Sequence, residues 1–137
     1  MSPRSSGEAC GSIATRRGGD NTGPCVLGTA VRQDGRSASL TAPSGQAQQG
    51  LLTAALHDAD TPATSLALNE AHGTGTALGD PIESGSLVGA VLKSRDVPLL
   101  VGGVKANIGH AEPAAGMTGL LKLALGLQRG DAAPNAQ

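Results

Sequence analysis

The sequence contains no phenylalanine, tyrosine or tryptophan in its 137 residues, and it contains 21 glycines. Aromatic side chains supply the largest single burials in most cores, and glycine raises the entropy of the unfolded chain. The composition therefore predicts a modest and marginally stable core. No apolar run approaches the roughly 18 residues that span a bilayer, and the start of the chain lacks the apolar stretch of a signal peptide. These absences favour a cytoplasmic location without a membrane partner.

Runs of like charge are also absent, and the net charge is only -1. Because Lys and Arg form no cluster in the sequence, it predicts no basic surface that would bind nucleic acid or an anionic membrane. Only two cysteines occur, Cys10 and Cys25, and neither has a cysteine or histidine companion at metal-ligand spacing. The sequence therefore predicts no metal site, and it predicts small buried thiols at both positions.

The periodicity of apolar residues predicts alternating strands and helices. Asp80 is expected to cap the second helix, with Pro81 in its first turn and Glu83 completing a capping box. Short β-compatible runs occur at 10–14 and 25–32, and buried strands are predicted at 65–71 and 98–105. Helices are predicted at 46–58, from 80 to about 93–95, and from 113 to 128 or 129. The last helix is apolar around most of its circumference and is expected to be buried on more than one side.

Residues 65–129 thus form a βαβα unit, which folds onto a parallel sheet with both strand-to-helix loops at one edge. His72 follows the first strand, His110 lies in the loop after the second, and Lys105 closes that second strand. Two imidazoles and an ammonium at one edge, among glycines, suit the stabilisation of negative charge on a carbonyl oxygen. The sequence predicts enolate or oxyanion chemistry there.

Simpler interpretations exist for each of these residues. A histidine at a strand end is more often a packed or surface residue than a catalytic one, and Lys105 could be a snorkelling lysine. His57 complements the dipole at the end of the first helix and has no predicted role. The glycine-rich loop after His72 could bind a dinucleotide, but its GxGxxxG spacing departs from the fingerprint.

Two long segments resemble a known family. The residues EAHGTGTALGDPIE (70–83) and VGGVKANIGHAEPAAGMTGLLK (101–122) resemble the two histidine segments of β-ketoacyl synthases of the thiolase-like fold, most like those of modular polyketide synthases. Upstream, GTAVRQDGRSASLTAPSGQAQ (28–48) and GEACG (7–11) are similar to segments that precede the first histidine in that family. The resemblance implies an α/β, thiolase-like half-domain, with a partial ketosynthase at 7–130 between an irregular segment at 1–6 and a tail at 131–137.

The resemblance also implies roles for individual residues. His72 and His110 would hydrogen-bond the thioester carbonyl during decarboxylation of a malonyl extender, and Lys105 would support them. Thr74 and Thr76 would contact the phosphopantetheine arm, and Asn107 would shape the loop.

Activity in this family also requires a nucleophilic cysteine, which lies on a strand-to-helix elbow in the N-terminal half of the domain. No residue here matches that cysteine, since Cys10 belongs to the GEACG-like segment. The resemblance implies no metal and no dissociable cofactor, because phosphopantetheine arrives on an acyl carrier protein. It further implies the N-terminal half as a partner and a homodimeric complete domain.

Two hypotheses follow from the sequence. The first is a partial ketosynthase that does not complete condensation as an isolated chain. The second is a non-catalytic module for pantetheine or carrier-protein binding, or for dimerisation.

Overall fold

The fold is seen in a computed structural model that describes residues 10–18, 23–35, 37 and 42–135. The expected segment at 1–6, most of GEACG and the last two residues of the tail lie outside the described residues. Within these residues, single-turn 3-10 helices lie at Ala63–Ser65, Leu92–Ser94 and Glu112–Ala114. The regular elements are α1 (Gly45–Asp58), β1 (Leu68–Glu70), α2 (Gly79–Ala90), β2 (Leu100–Gly102), α3 (Lys105–Ile108) and α4 (Ala115–Arg129).

Helix α1 confirms the first predicted helix and begins one residue earlier. Ser44 caps it, and the Ser44 hydroxyl accepts the Ala47 N–H at 3.2 Å. Gly50, inside this helix, leaves the space that the Arg32 guanidinium occupies, because a Cβ at Gly50 would lie 2.5 Å from the guanidinium. The helix therefore accommodates a side chain from the preceding segment at its least favourable position.

The start of α2 differs from the predicted capping box. The helix begins at Gly79 rather than after Asp80, and the Thr76 hydroxyl accepts the Gly79 N–H at 3.0 Å. The N–H of Asp80, the proposed cap residue, donates to the Thr76 carbonyl at 3.2 Å, and the Glu83 carboxylate accepts the N–H of Gly73 at 2.9 Å. The prediction placed the start of α2 next to Pro81, with Asp80 as the cap. In the structure Thr76, four residues before Asp80, supplies the oxygen that accepts the first N–H of the helix.

Strands β1 and β2 form a two-stranded sheet, and both are shorter than the sequence predicted. The N–H of Ala71, just after β1, donates to the carbonyl of Gly102, the last residue of β2, at 2.8 Å. This pairing brings the carboxyl ends of both strands to the same edge, as a parallel βαβ unit requires. Lys105 does not close the second strand as predicted, since it is the first residue of α3.

The expected strand at 25–32 is wrong. None of the described residues from 23 to 35 is in a strand, and Val31 is 94% exposed. A strand needs a neighbour for its N–H and C=O groups, and here the Thr29 N–H donates instead to the Asp58 carboxylate at 2.8 Å. The run at 10–14 is likewise without strand structure, and Cys10 and Cys25 are exposed thiols rather than buried ones.

The described residues fall into two compact units. One contains the described residues up to Cys25, residues 70–72 and the described residues from 101 onward, and its buried side chains include Ala111, Ala114 and Ala115. The other contains the described residues of 26–69 and residues 73–100, with α1 packed on α2 and with Ala42, Ser86, Leu87 and Val91 buried.

Helix α4 confirms the predicted end but not the predicted burial. Gly130 adopts the left-handed conformation (φ 65°) and ends the helix, as expected of a C-terminal glycine. The leucines that were expected to be covered are 45–72% exposed: Leu120, Leu121, Leu125 and Leu127. The buried side of α4 consists of small residues, Ala115 and Gly119. None of the helices in the described part of the chain combines the length and apolar character needed to cross a bilayer.

Candidate active site

The two histidines predicted to share an edge of the sheet do lie together. The rings of His72 and His110 have centroids 5.6 Å apart and stand edge to face at 90°. They are separated in sequence by the crossover through α2 and by β2. The sequence prediction that two strand-end loops bring these imidazoles into one place therefore agrees with the geometry.

Lys105 joins this pair from the first residue of α3. Its Nζ lies 3.5 Å from Nδ1 of His72, at the long end of a hydrogen bond. An ammonium group donates and cannot accept, so Nδ1 of His72 is the acceptor and holds no proton. With Nδ1 as the acceptor of this hydrogen bond, the ring carries its proton on Nε2.

His110 is oriented in the same way by the backbone. The N–H of Glu112 donates to Nδ1 of His110 at 3.1 Å, so this ring also carries its proton on Nε2. Glu112 has φ 39°, in the left-handed region that L residues rarely adopt, and Gly109 before His110 has φ 76°. Such a conformation costs on the order of 1–3 kcal/mol and recurs at functional sites. The turn around His110 is therefore strained in the place that presents an N–H to its ring.

This arrangement can hold an anionic oxygen. Two imidazoles that each carry an Nε2–H, with a lysine ammonium beside one of them, are donors suited to a carbonyl that becomes an enolate. No three His, Cys, Asp or Glu side chains among the described residues gather into a metal-binding group. The chemistry available from these side chains is hydrogen bonding and electrostatic stabilisation.

A buried ion pair lies next to this site, and sequence reasoning gave it no role. Oε2 of Glu70, two residues before His72, lies 2.9 Å from Nζ of Lys122 on α4. The side chains are 5% and 15% exposed respectively, and neither atom has a hydrogen-bond partner within the described residues. Among the described residues, the carboxylate oxygen and the ammonium group therefore neutralise each other and make no additional hydrogen bond. The sequence feature that accompanies this pair is the presence of two glycines beside it, Gly102 and Gly119, which leave room for the Glu70 side chain.

Thr74 and Thr76, the proposed pantetheine contacts, lie in the loop before α2. Their hydroxyl oxygens are 3.5 Å apart, and both side chains are half-buried. Gly73 and Gly75 in this loop have positive φ, at 48° and 72°. The Thr76 oxygen accepts the first N–H of α2, which leaves its own O–H proton available as a donor.

Asn107 lies exposed on α3, and its Nδ2 donates to the carbonyl of Pro134 at 3.4 Å. The tail predicted at 131–137 is held near this loop in its described residues, because Asn135 accepts the Gly103 N–H at 2.8 Å and donates to the Val101 carbonyl at 3.5 Å. Short polar side chains such as these give no periodic signal that sequence reasoning could use.

Comparison with known proteins identifies the class to which this fold and site belong. The family model described as beta-ketoacyl synthase, C-terminal domain, matches residues 24–137. The chain belongs to this family, and its α/β fold is a partial domain of the thiolase-like type.

The relatives found are modular polyketide synthases. The chain is 47% identical over 123 residues to a phenolphthiocerol/phthiocerol polyketide synthase of Mycobacterium tuberculosis, a match that covers 88% of the chain and 6% of that protein. It is 48% identical over 118 residues to erythronolide synthase EryA2 of Saccharopolyspora erythraea, covering 85% of the chain and 3% of that protein. The chain thus spans only a small part of the length of these relatives.

Solved ketosynthase domains share the fold. The oxazolomycin ketosynthase domain OzmH KS7 of Streptomyces albus JA3453 matches with a TM-score of 0.72 and 42% identity, over 75% of this chain and 18% of that one. The ketosynthase from module 6 of the bacillaene synthase of Bacillus subtilis 168 matches with a TM-score of 0.75 and 34% identity, over 81% and 21%. These likenesses extend the family assignment to the fold.

Proposed function

We propose that this chain supplies the histidine pair of a ketosynthase that catalyses decarboxylative Claisen condensation in polyketide assembly. The observation that carries the proposal is the placement of two imidazole rings at 5.6 Å, each with Nδ1 engaged as an acceptor. A third donor, the Lys105 ammonium, lies against the first ring. A site of this kind stabilises negative charge on the thioester carbonyl oxygen, which is absent in the bound substrate and develops at the transition state.

The reaction takes place in two linked bond changes. A malonyl-type thioester on an acyl carrier protein loses its carboxylate as CO2, and the electron pair of the broken C–C bond moves into the thioester as an enolate. The two Nε2–H groups hold the enolate oxygen. The enolate carbon then attacks the carbonyl of an acyl group held as a cysteine thioester, and the thiolate leaves to give a β-ketoacyl carrier protein.

The other residues take supporting roles in this proposal. Lys105 holds the ring of His72 in the tautomer that donates from Nε2. Thr74 and Thr76 contact the phosphopantetheine arm through their hydroxyls, and Asn107 shapes the loop. No dissociable cofactor takes part, and the acyl cysteine is neither Cys10 nor Cys25. The segment 7–130 acts within a homodimeric, cytoplasmic ketosynthase together with the N-terminal half of that domain.

The test is complementation. Residues 24–137 replace the matching segment in the ketosynthase of erythronolide synthase, and CO2 release and β-ketoacyl carrier protein are measured. The chimera is expected to be active. His72→Ala and His110→Ala each lower the decarboxylation rate by about 10² to 10³-fold. His57→Ala, which alters an exposed histidine on α1, serves as the matched control and leaves the rate unchanged. An active chimera in which both site variants retain full decarboxylation would contradict the proposal.

The isolated 137-residue chain is expected to form no β-ketoacyl product. The alternative function, a non-catalytic module that binds pantetheine or a carrier protein, predicts instead that the isolated chain binds malonyl carrier protein and that Thr74→Ala/Thr76→Ala weakens this binding. Titration calorimetry with the isolated chain measures this binding, and turnover by the chimera separates the two functions, because the alternative requires the chimera to bind carrier protein without turnover.

A further inference from the structure

Glu70 is a charged residue in a place where charge is costly. It is the last residue of β1, its side chain is only 5% exposed, and Oε2 faces Nζ of Lys122 at 2.9 Å. Taking a carboxylate and an ammonium out of water costs several kcal/mol per ion, and replacing such a pair with apolar side chains is often neutral or stabilising. Stability alone therefore does not account for a buried ion pair at this position.

The second oxygen of the same carboxylate is bound to the loop that carries the site. The N–H of Val104 donates to Oε1 of Glu70. Val104 is the residue before α3, so the next residue is Lys105, and the loop continues through Gly109 to His110. One carboxylate thus connects the strand end that carries His72 with the segment that carries Lys105 and His110.

The surroundings of the pair are shaped to admit it. A Cβ at Gly102 would lie 2.8 Å from Nζ of Lys122 and closer still to Oε2 of Glu70. A Cβ at Gly119 would lie 3.3 Å from Cγ of Glu70. Both contacts are tighter than side chains normally accept, so the close approach of β2 and α4 to the carboxylate depends on two glycines. Lys122, from α4, then holds the carboxylate from its other side.

We propose that Glu70 is a positioning residue for the histidine pair, acting through the hydrogen bond that its Oε1 accepts from the Val104 N–H, and that Lys122 neutralises the buried charge of the carboxylate. The inference rests on the proposed function, because it assigns Glu70 the task of setting the Lys105–His72 contact and the placement of His110. It does not place Glu70 among the groups that touch substrate. A displacement of about 1 Å in such a supporting element can lower a rate by about 10²-fold.

Two double variants separate positioning from charge. Glu70→Gln/Lys122→Met and Glu70→Leu/Lys122→Met both remove the ion pair without leaving a single buried charge. Only the glutamine keeps an oxygen that can accept the Val104 N–H. In the chimeric ketosynthase described above, Glu70→Gln/Lys122→Met (the glutamine variant) is expected to decarboxylate malonyl carrier protein at close to the rate of the unsubstituted chimera. The leucine variant should lose about 10-fold to 100-fold in kcat, with little change in KM.

A second measurement does not depend on activity. In the 137-residue chain, the ring ¹⁵N shifts of His72 and His110 and the amide shift of Val104 report the tautomers and the hydrogen bond directly. We expect these signals to be near those of the parent chain in the glutamine variant and displaced in the leucine variant. If the complemented parent protein is itself inactive, the proposed function fails, while the NMR comparison still decides the role of Glu70.

Three results would overturn the inference. The first is that the two variants give the same ring and amide shifts as the parent chain. The second is that both variants lose activity equally while remaining folded, which would assign the effect to charge. The third is that both are unfolded by circular dichroism, which would make the pair a requirement of the fold rather than a positioning device.

Discussion

Two glycines in helix α2 should respond in opposite ways to the same substitution. An ideal Cβ at Gly85 would have no atom within 4 Å, whereas one at Gly89 would lie 2.8 Å from Cδ and 2.9 Å from both amide atoms of Gln49 on α1. Both positions are inside α2, where alanine is favoured over glycine by about 1 kcal/mol. Gly85→Ala is therefore expected to raise the free energy of unfolding by about 1 kcal/mol.

At Gly89 the same helical gain is opposed by overlap with a side chain. Crowding of this kind costs about 1–3 kcal/mol, and the low end applies because Gln49 is exposed and can rotate away. Gly89→Ala should thus be close to neutral. The Gln49→Ala/Gly89→Ala double variant removes the obstacle and should recover the gain, with a coupling energy of about 1 kcal/mol between the two sites.

The assay is urea unfolding of the 137-residue chain followed by circular dichroism at 222 nm, with the parent chain and the Gln49→Ala variant as references. Equal stabilisation by Gly85→Ala and Gly89→Ala, or additive effects in the double variant, would refute the packing of α1 against α2 described above. A loss of stability in Gly85→Ala would refute the open surroundings of that residue.

Three further substitutions can be compared in the same urea assay. Val91→Ala removes a side chain that is 1% exposed and should lower the free energy of unfolding by about 2 kcal/mol; an unchanged midpoint would contradict its burial. Gly28→Ala should destabilise by at least about 1 kcal/mol, because its Cβ would lie 2.5 Å from the backbone nitrogen of Ala59, and a stabilising effect would contradict that contact. Gly130→Ala should cost about 1 kcal/mol because φ is 65° there, and the prediction fails if α4 is equally stable with alanine.

The helices could be predicted from sequence because their signals are local. The apolar repeats predicted α1 and α4 to within two residues at each end, and the structure shows Ser44 and Gly130 as the caps of these helices. The start of α2 was misplaced because two acceptors compete there. Thr76 lies before the helix and Asp80 is its second residue. The Thr76 hydroxyl accepts the first N–H of the helix, whereas the Asp80 carboxylate accepts the N–H of Thr76, and the conformation of the loop decides this division.

The strands were predicted less well, since pairing is not a local property. Residues 25–32 have the composition of a strand, yet Val31 is almost fully exposed and no strand lies beside them in the described part of the chain. The leucines of α4 show the same limit. Their spacing indicates an apolar face, but the spacing does not say which neighbour covers that face.

The convergence of His72 and His110 could be predicted because topology fixes it. Parallel strands joined by a right-handed crossover put their carboxyl ends at one edge, so residues 38 positions apart in sequence meet there whatever the details of the helix between them. The tautomers could not be predicted. They depend on Lys105 and on a strained backbone N–H at Glu112, neither of which has a signature beyond its residue type.

Glu70 shows what must be added to such a prediction. In the sequence it is a carboxylate two residues before a histidine, and no pattern in the sequence assigns it a role. The structure places its side chain in a space bounded by Gly102, Gly119 and Lys122, where one oxygen is paired with a cation and the other with a backbone N–H. A carboxylate whose two oxygens are both engaged by the scaffold is held in one orientation. For that reason we assign the chemistry to the rings and their alignment to Glu70.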